Sequence, residues 1–229
     1  MRQAIAVAAA SLTLASCSFN QAPSVDAAKE LRTGAGAMGQ LKSVSATLKF
    51  TKGTVTFQGF TLVSARTAVR LPADSDTVYT VKEQDVSISL EVVISAGHTY
   101  LHVPFSSFRE VTGPDATSIP DLARMFDPTT GLPALIPAGT KTSYVSTDQV
   151  DGTSAYQIAT SYTADQVRGL LAQLNSNGPV AARIWVDASD HLIHKAVLDG
   201  AFGDGGKEAS VEVDMTGFNA AVTITSPSP

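Results

Sequence analysis

Any chemistry in this 229-residue chain has to come from four histidines, one cysteine and a few spaced carboxylates. His98 and His102 are four apart, which suits two metal ligands on one helix face. The residues around them alternate as in a strand, where that spacing is ~13 Å, too long to share an ion. His191 and His194 lie beside a turn after Asp190 and read as exposed or hydrogen-bonded strand histidines. Asp121, Asp127 and Asp187 have no neighbour that makes an acid/base couple. Asp121 reads as a helix-start residue that favours the dipole, and Asp187 as part of an Asp187-Ala188-Ser189-Asp190 hairpin turn. Trp185, the sole tryptophan, reads as a packing residue at a strand edge before a stacking platform for a ligand. No Gly-x-Ser-x-Gly elbow, phosphate-binding Gly-x-x-x-x-Gly-Lys or His-Glu-x-x-His occurs. The residues point away from an enzyme, and to no metal and no cofactor.

The cysteine is different. Arg2 and the free amine give a positive start, and Ala4 to Ala15 is an uncharged stretch. As a helix it spans ~18 Å, short of the ~30 Å hydrocarbon core. It ends in Leu14-Ala15-Ser16-Cys17, which looks like a bacterial lipobox: an aliphatic residue, two small residues, then cysteine. Small side chains let the extended backbone enter a peptidase site, and the thiol accepts a diacylglyceryl group before cleavage. The expected division is a signal peptide over 1–16, a lipidated tether over 17–24 and one domain over 25–229. Two or three acyl chains on Cys17, palmitate among them, at ~0.8 kcal/mol per buried methylene, would hold the body on the extracytoplasmic face of the cell membrane.

Composition narrows the rest. Hydrophobic residues make up 44%, enough for a sizeable core. The balance of 16 Lys+Arg against 21 Asp+Glu gives a net charge of -5, with no basic cluster. That excludes nucleic acid as a partner, because phosphates need a basic footprint. A single cysteine excludes an internal disulfide and a thiolate zinc site.

The elements that must position these residues follow from periodicity. A helix is predicted from about Ser24 to Leu41, weakened by Gly34, Gly36 and Gly39. Period-two alternation then predicts strands near Val44 to Phe50, Val55 to Val63, Ala68 to Leu71, Thr77 to Lys82, Val86 to Ile94 and His98 to Val103. Ser118 reads as the cap of a helix carrying Pro120, Asp121, Leu122, Met125 and Phe126, ended by Asp127-Pro128. A short apolar segment follows from Gly131 to Pro137. Strands resume at Thr142 to Val150 and Ala155 to Thr160. Thr163-Ala164-Asp165-Gln166 is a capping box opening a helix through Val167, Leu170, Leu171 and Leu174. Four strands close the chain: Val180 to Val186, His191 to Leu198, Val211 to Met215 and Ala221 to Thr225. Antiparallel strands with helices inserted at one or two places indicate an α+β fold with helices on one sheet face.

Four passages in this order resemble the LppX/LprA/LprF/LprG lipoproteins of mycobacteria, whose fold is similar to the LolA/LolB lipoprotein carriers. They are Gly97-His-Thr-Tyr-Leu-His-Val103, Phe126-Asp-Pro-Thr-Thr-Gly-Leu-Pro-Ala-Leu-Ile136, Val180-Ala-Ala-Arg-Ile-Trp-Val-Asp187 and the ending from Val211 to Pro227. The glycine-rich first helix and the segment from Thr51 to Asp85 match the pattern poorly. The resemblance implies a strongly curved antiparallel sheet, a half-barrel, with helices packed on its concave face and an apolar cavity between. It also implies carriage of an acylated lipid or glycolipid through the envelope, in some members alongside a membrane efflux transporter.

Acyl chains need contiguous apolar wall and few polar groups. Candidate wall residues are Leu122, Met125, Phe126, Val167, Leu170, Leu171 and Leu174 on the helices, Leu132, Leu135 and Ile136 in the short segment, and Ile88, Leu90 and Val92 on a strand. The same pattern describes a solid core. Two expectations therefore stand: a lipid-binding lipoprotein, and an envelope lipoprotein with a solid core that binds another protein.

Overall fold

The computed structural model describes residues 25–170 and 175–228. The first helix, α1 (Ala27–Met38), begins where Asp26 accepts the Lys29 amide at 3.0 Å and ends at Gly39. Leu31, Ala35 and Met38 fall on one buried face. Gly34 lies on that face too, and a Cβ there would stand 3.1 Å from the His191 carbonyl and 3.4 Å from Val186. Its helix cost is thus exchanged for a close helix-to-sheet approach. Gly36 has nothing within 4 Å of the same position.

Twelve strands follow: β1 (Ser43–Lys52), β2 (Thr56–Phe57), β3 (Phe60–Arg70), β4 (Asp74–Glu83), β5 (Val86–Ser95), β6 (His98–His102), β7 (Arg109–Val111), β8 (Thr140–Val150), β9 (Thr153–Tyr162), β10 (Val180–Asp187), β11 (Ile193–Gly203) and β12 (Lys207–Thr216). They form one open antiparallel sheet in the order β7-β6-β5-β4-β3-β1-β12-β11-β10-β9-β8, with β2 hairpinned onto β3. The first and last strands thus meet mid-sheet, and the two edges, β7 and β8, do not pair. So wide a sheet curls under its own twist. The result is the α+β half-barrel, with the short helices on the concave face.

Register aligns that face. One apolar row runs Leu90, Tyr79, Ala65, Leu48, Val213, Ala196, Ile184, Ile158 across successive strands from β5 to β9. Between β7 and β8 the chain supplies the cover: α2 (Gly113–Thr117), a 3-10 turn at Arg124–Phe126, α3 (Leu132–Leu135) and a 3-10 turn at Ile136–Ala138. The last helix, α4 (Ala164–Leu170), opens with the predicted capping box: the Thr163 amide donates to Gln166 Oε1 at 2.8 Å and the Gln166 amide to Thr163 Oγ1 at 3.3 Å.

Three expectations are corrected. Residues 55–71 form a short β2 and one continuous β3 instead of separate strands at Val55 to Val63 and Ala68 to Leu71. Gln58 and Gly59 make the turn at positive φ, and a register shift between Leu62 and Ser64 breaks the alternation. Ser118 ends α2 instead of starting a helix, because Pro120 disfavours helical geometry in the residue before it. Ala221 to Thr225 form no strand. Both sides of β1 are already taken by β3 and β12, so the tail crosses the start of β1, where the Asn219 amide donates to the Ser43 carbonyl at 2.9 Å.

The two helix glycines separate propensity from packing. Gly36→Ala should stabilise the fold by about 0.5–1 kcal/mol in urea denaturation. Gly34→Ala should fail to give that gain, because its methyl presses on the β10–β11 turn. Equal gains at both positions would mean that α1 does not approach the sheet through Gly34.

Candidate functional site

The concave face holds an apolar cavity whose floor is the middle of the sheet. Ala46, Leu48 and Phe50 of β1 and Val213 and Met215 of β12 form its base, with Ala65 and Thr67 of β3 and Tyr79 of β4 to one side. Val55, Phe57 and Leu62 wall it at the β2–β3 hairpin, and Pro120, Leu122, Met125, Phe126 and Leu132 cover it. Its free volume is about 90 Å³ and no lining residue is charged. Alanines at 46 and 65 make the room, since cross-strand neighbours there are large. A second, more open depression of about 290 Å³ lies beyond Phe126, between Leu41, Leu71, Pro72 and Pro128. Phe126 borders both.

The cover contains little regular structure, so side chains hold it. Asp121 Oδ1 accepts the Ala123 amide at 3.1 Å, opening a 3-10 turn instead of the helix expected there. Asp127 Oδ1 accepts the amides of Thr129 and Thr130, both at 2.8 Å. Those two residues, side chains and amides together, hold the Asp127 carboxyl down to about 2. Gly131 sits where any Cβ would run into the Met125 carbonyl. Towards the sheet, the buried Tyr162 hydroxyl donates to the Ile136 carbonyl at 3.0 Å, Gln166 Nε2 to the Ala138 carbonyl at 3.2 Å, and Gln58 Nε2 to Ser118 Oγ at 2.8 Å.

Of the residues singled out in the sequence, Leu122, Met125, Phe126 and Leu132 come together on the cavity. Leu135 and Ile136 belong to the same cover but pack into the core near α1. Ile88, Leu90 and Val92 lie on the concave face of β5, in a cluster with Val81 and Leu101 beside the cavity. Val167 is buried in the core, and Leu170 is half-buried at the end of α4. Leu171, Leu174 and Cys17 lie outside the described residues. The floor was missed. Its alternation in β1 and β12 is plain in the sequence, but nothing local says that these strands are neighbours.

The chemically suggestive residues lie away from the cavity. His98 bonds Glu110 at 2.7 Å and His102 stacks on Phe108 at 4.9 Å, both on the convex face. His191 bonds Glu30 at 3.1 Å. His194 stands with Asp187 and Asp190, ligating atoms within 4.8 Å of one another, yet the two carboxylates serve the turn, and both ring nitrogens of His194 are buried without a hydrogen-bond partner, which corrects the exposed or hydrogen-bonded role expected of it. Asp187 Oδ1 accepts the amides of Ser189 and Asp190, and Asp190 Oδ1 that of Leu192. Burial raises the Asp187 carboxyl, but hydrogen bonds from Ser189, Thr153 and Asp190 outweigh it and hold it below the usual range. Trp185 packs on the convex face with Ala155 and Val197, its Nε1 donating to Asp148 at 2.8 Å. It faces away from the cavity.

The class the geometry defines is an open antiparallel half-barrel with a helical cover over an uncharged cavity. Residues 26–224 match the LppX_LprAFG lipoprotein family, and the chain belongs to it. It is similar to the lipoarabinomannan carrier protein LprG of Mycolicibacterium smegmatis, 25% identical over 112 residues, which cover 49% of this chain and 45% of that protein. The chain thus spans about half the length of the curated relatives it matches. The crystal structure of LprF from Mycobacterium bovis superposes with a TM-score of 0.70 at 18% identity, covering 89% of this chain and 97% of that one. That of LppX from Mycobacterium tuberculosis gives 0.63 at 19% identity, covering 86% and 97%. At these identities the two structures establish the fold.

Tyr162 ties the cover to the sheet, and Tyr162→Phe should cost about 1 kcal/mol in urea denaturation at neutral pH. Burial pushes its phenol above the ordinary value of 10.0. The unfolded chain therefore loses this proton first, and the stabilisation present below pH ~10 fades as pH rises beyond it. The wild type should lose stability more steeply than Tyr162→Phe above pH ~10. Parallel profiles would mean that the hydroxyl is not buried.

Proposed function

We propose that this protein is a membrane-anchored lipid carrier that shelters the acyl chains of an envelope lipid or lipoglycan under its cover, without covalent chemistry. The observation that carries the reading is the cavity: covered, apolar, uncharged, and placed on the concave face of a half-barrel. An acyl chain gains ~0.8 kcal/mol per buried methylene without needing directed contacts, so such a lining is sufficient to hold one. The carrier name of the mycobacterial relative, though matched along only 45% of its length, supports the same reading.

The free volume, about 90 Å³, is below the ~300–1,000 Å³ of ligand-bearing pockets. Loading therefore requires the cover to lift from the sheet. Movement of Phe126, which stands between the cavity and the open depression, would join the two into one longer slot. Few hydrogen bonds hold the cover, which suits a part that must separate.

Anchoring through a lipidated Cys17 on the extracytoplasmic face, and delivery towards a membrane efflux transporter, complete the proposal. Among the described residues no helix is long and apolar enough to cross a membrane. A second reading is favoured by the small volume itself: an envelope lipoprotein with a nearly solid core that binds another protein.

Two experiments decide. The full chain is expressed in a mycobacterial host and purified, and its organic extract is analysed by mass spectrometry. Stoichiometric lipid is expected, and Ala46→Phe, which fills the floor at an overpacking cost of about 1–3 kcal/mol, should fold and come away empty. A lipid-free wild type that also takes up no added lipid would favour the solid-core reading. Separately, Cys17→Ala should release the protein from membranes or leave it unprocessed; a variant still membrane-bound at processed size would end the anchor proposal.

A further inference from the structure

The β10–β11 turn gathers three side chains of metal-ligand type, Asp187, Asp190 and His194. A carboxylate oxygen of each aspartate and one ring nitrogen of His194 stand within 4.8 Å of one another. The needs of the turn leave two features unexplained. Both ring nitrogens of His194 are buried with no hydrogen-bond partner, although the ring lies against Phe218 with centroids 5.0 Å apart. A buried imidazole in that state is destabilising unless something else uses it. The second feature is charge. Arg183 and Lys195, the cations of β10 and β11, pair with Asp199 and Glu212. Among the described residues no Lys or Arg pairs with Asp187 or Asp190. Two neighbouring carboxylates therefore face an unsatisfied nitrogen with no counter-charge.

We propose that Asp187, Asp190 and His194 form a binding site for a divalent transition-metal ion, zinc by preference, which fastens the β10–β11 turn. The site lies apart from the cavity and does not depend on the carrier reading. A water in the gap would satisfy the nitrogen and leave both negative charges, whereas a divalent cation answers both. Magnesium and calcium take oxygen ligands, while an imidazole with two carboxylates suits zinc. Donors on a tetrahedral ion at ~2.0–2.2 Å stand ~3.4 Å apart, so the three close in by up to ~1.4 Å on binding. Asp190 is exposed and gives the ion a way in; Asp187 is 2% exposed and forms the inner side. The Ser189 and Asp190 amides orient Asp187, and the Leu192 amide orients Asp190, as outer-shell partners orient metal ligands. Each carboxylate keeps further lone pairs for the ion. The turn is also where α1 docks, since His191 bonds Glu30 and Gly34 closes on the His191 carbonyl. An ion held here stiffens that contact too.

The test uses zinc chloride alone. The full chain is treated with EDTA, dialysed, titrated by isothermal calorimetry, and melted with and without the ion. The wild type should bind one zinc per chain with a Kd below about 100 µM. At a hundredfold excess over Kd its melting temperature should rise by about 5–10 °C. Magnesium at the same concentration should leave the melt unchanged. His194→Phe keeps a ring against Phe218, and Asp190→Asn keeps an acceptor for the Leu192 amide; each should weaken zinc binding at least about tenfold and lose the thermal shift. His98→Gln, on a distant strand, should bind zinc as the wild type does. A wild type that binds no zinc in this range overturns the site. So does a His194→Phe or Asp190→Asn variant that binds as tightly as the wild type, or a His98→Gln variant that loses binding. Asp190 is exposed, so its variant reads the site however His194→Phe folds. No lipid enters the measurement, and neither result bears on the carrier reading.

Discussion

The pairing of β1 with β12 is the constraint on which the remaining structure depends. It joins the ends of the chain through Ala46↔Met215, Leu48↔Val213 and Phe50↔Val211, and so turns two separate meanders into one sheet. Two clusters of buried side chains lie on it, one mainly over β2 to β7 and one over α1 and β9 to β12 that reaches Val44 of β1 and Val69 of β3. Leu48 is packed against both. The cavity opens where these clusters meet, directly above the seam. A one-residue slip there would turn Ala46, Leu48 and Phe50 to the convex side and bring Thr47 and Lys49 into the floor. Gly53 marks the end of the seam: at a φ of 75°, its Cβ would stand 2.6 Å from the Glu208 carbonyl, so the turn out of β1 must be a glycine.

A seam of this kind makes room as a consequence of its residues. Two curved half-sheets meeting at an angle leave a gap on the concave side unless bulky side chains fill it. Here Ala46 and Ala65 stand at the meeting line, and the cover contributes Met125 and Leu132 from short, irregular turns. Tyr79 stands in the same lining, and its hydroxyl is buried with no hydrogen-bond partner. A chain selected for stability alone would fill the gap and remove the hydroxyl. Keeping both is the kind of local inconsistency expected where a surface is reserved for something else.

How much of this was legible follows from which interactions are local. Period-two alternation located most strands, and the Thr163 to Gln166 capping box located α4, because both signals are carried by neighbouring residues. The cover was half legible: Leu122, Met125, Phe126 and Leu132 were identified, but as a regular helix and segment. The actual turns are set by Asp121, Asp127 and Gly131 contacts that have no periodicity. The β2–β3 hairpin was blurred by the register shift after Leu62. Ala221 to Thr225 has the alternation of a strand, and fails to be one only because no sheet edge is free beside β1. The floor was invisible for the same reason, since partnership between residues 46 and 215 is a property of the whole topology. The family resemblance filled that gap where the residues alone left core and cavity undecided.

The two faces of the sheet divide the chemistry between them. Charged pairs lie on the convex side, where Lys195 sits 2.8 Å from Glu212, Arg183 meets Asp199 at 3.4 Å and His98 meets Glu110. Such exposed pairs contribute little to stability, but they keep that face hydrated. The net charge of -5 opposes adhesion to an anionic bilayer. On the carrier reading, contact between this body and lipid falls to the anchor proposed at Cys17 and to the uncharged cavity. The same reading has a lipid enter by displacing the cover. Exchange is then governed by how readily residues 118–138 leave the sheet, and only secondarily by affinity within the cavity.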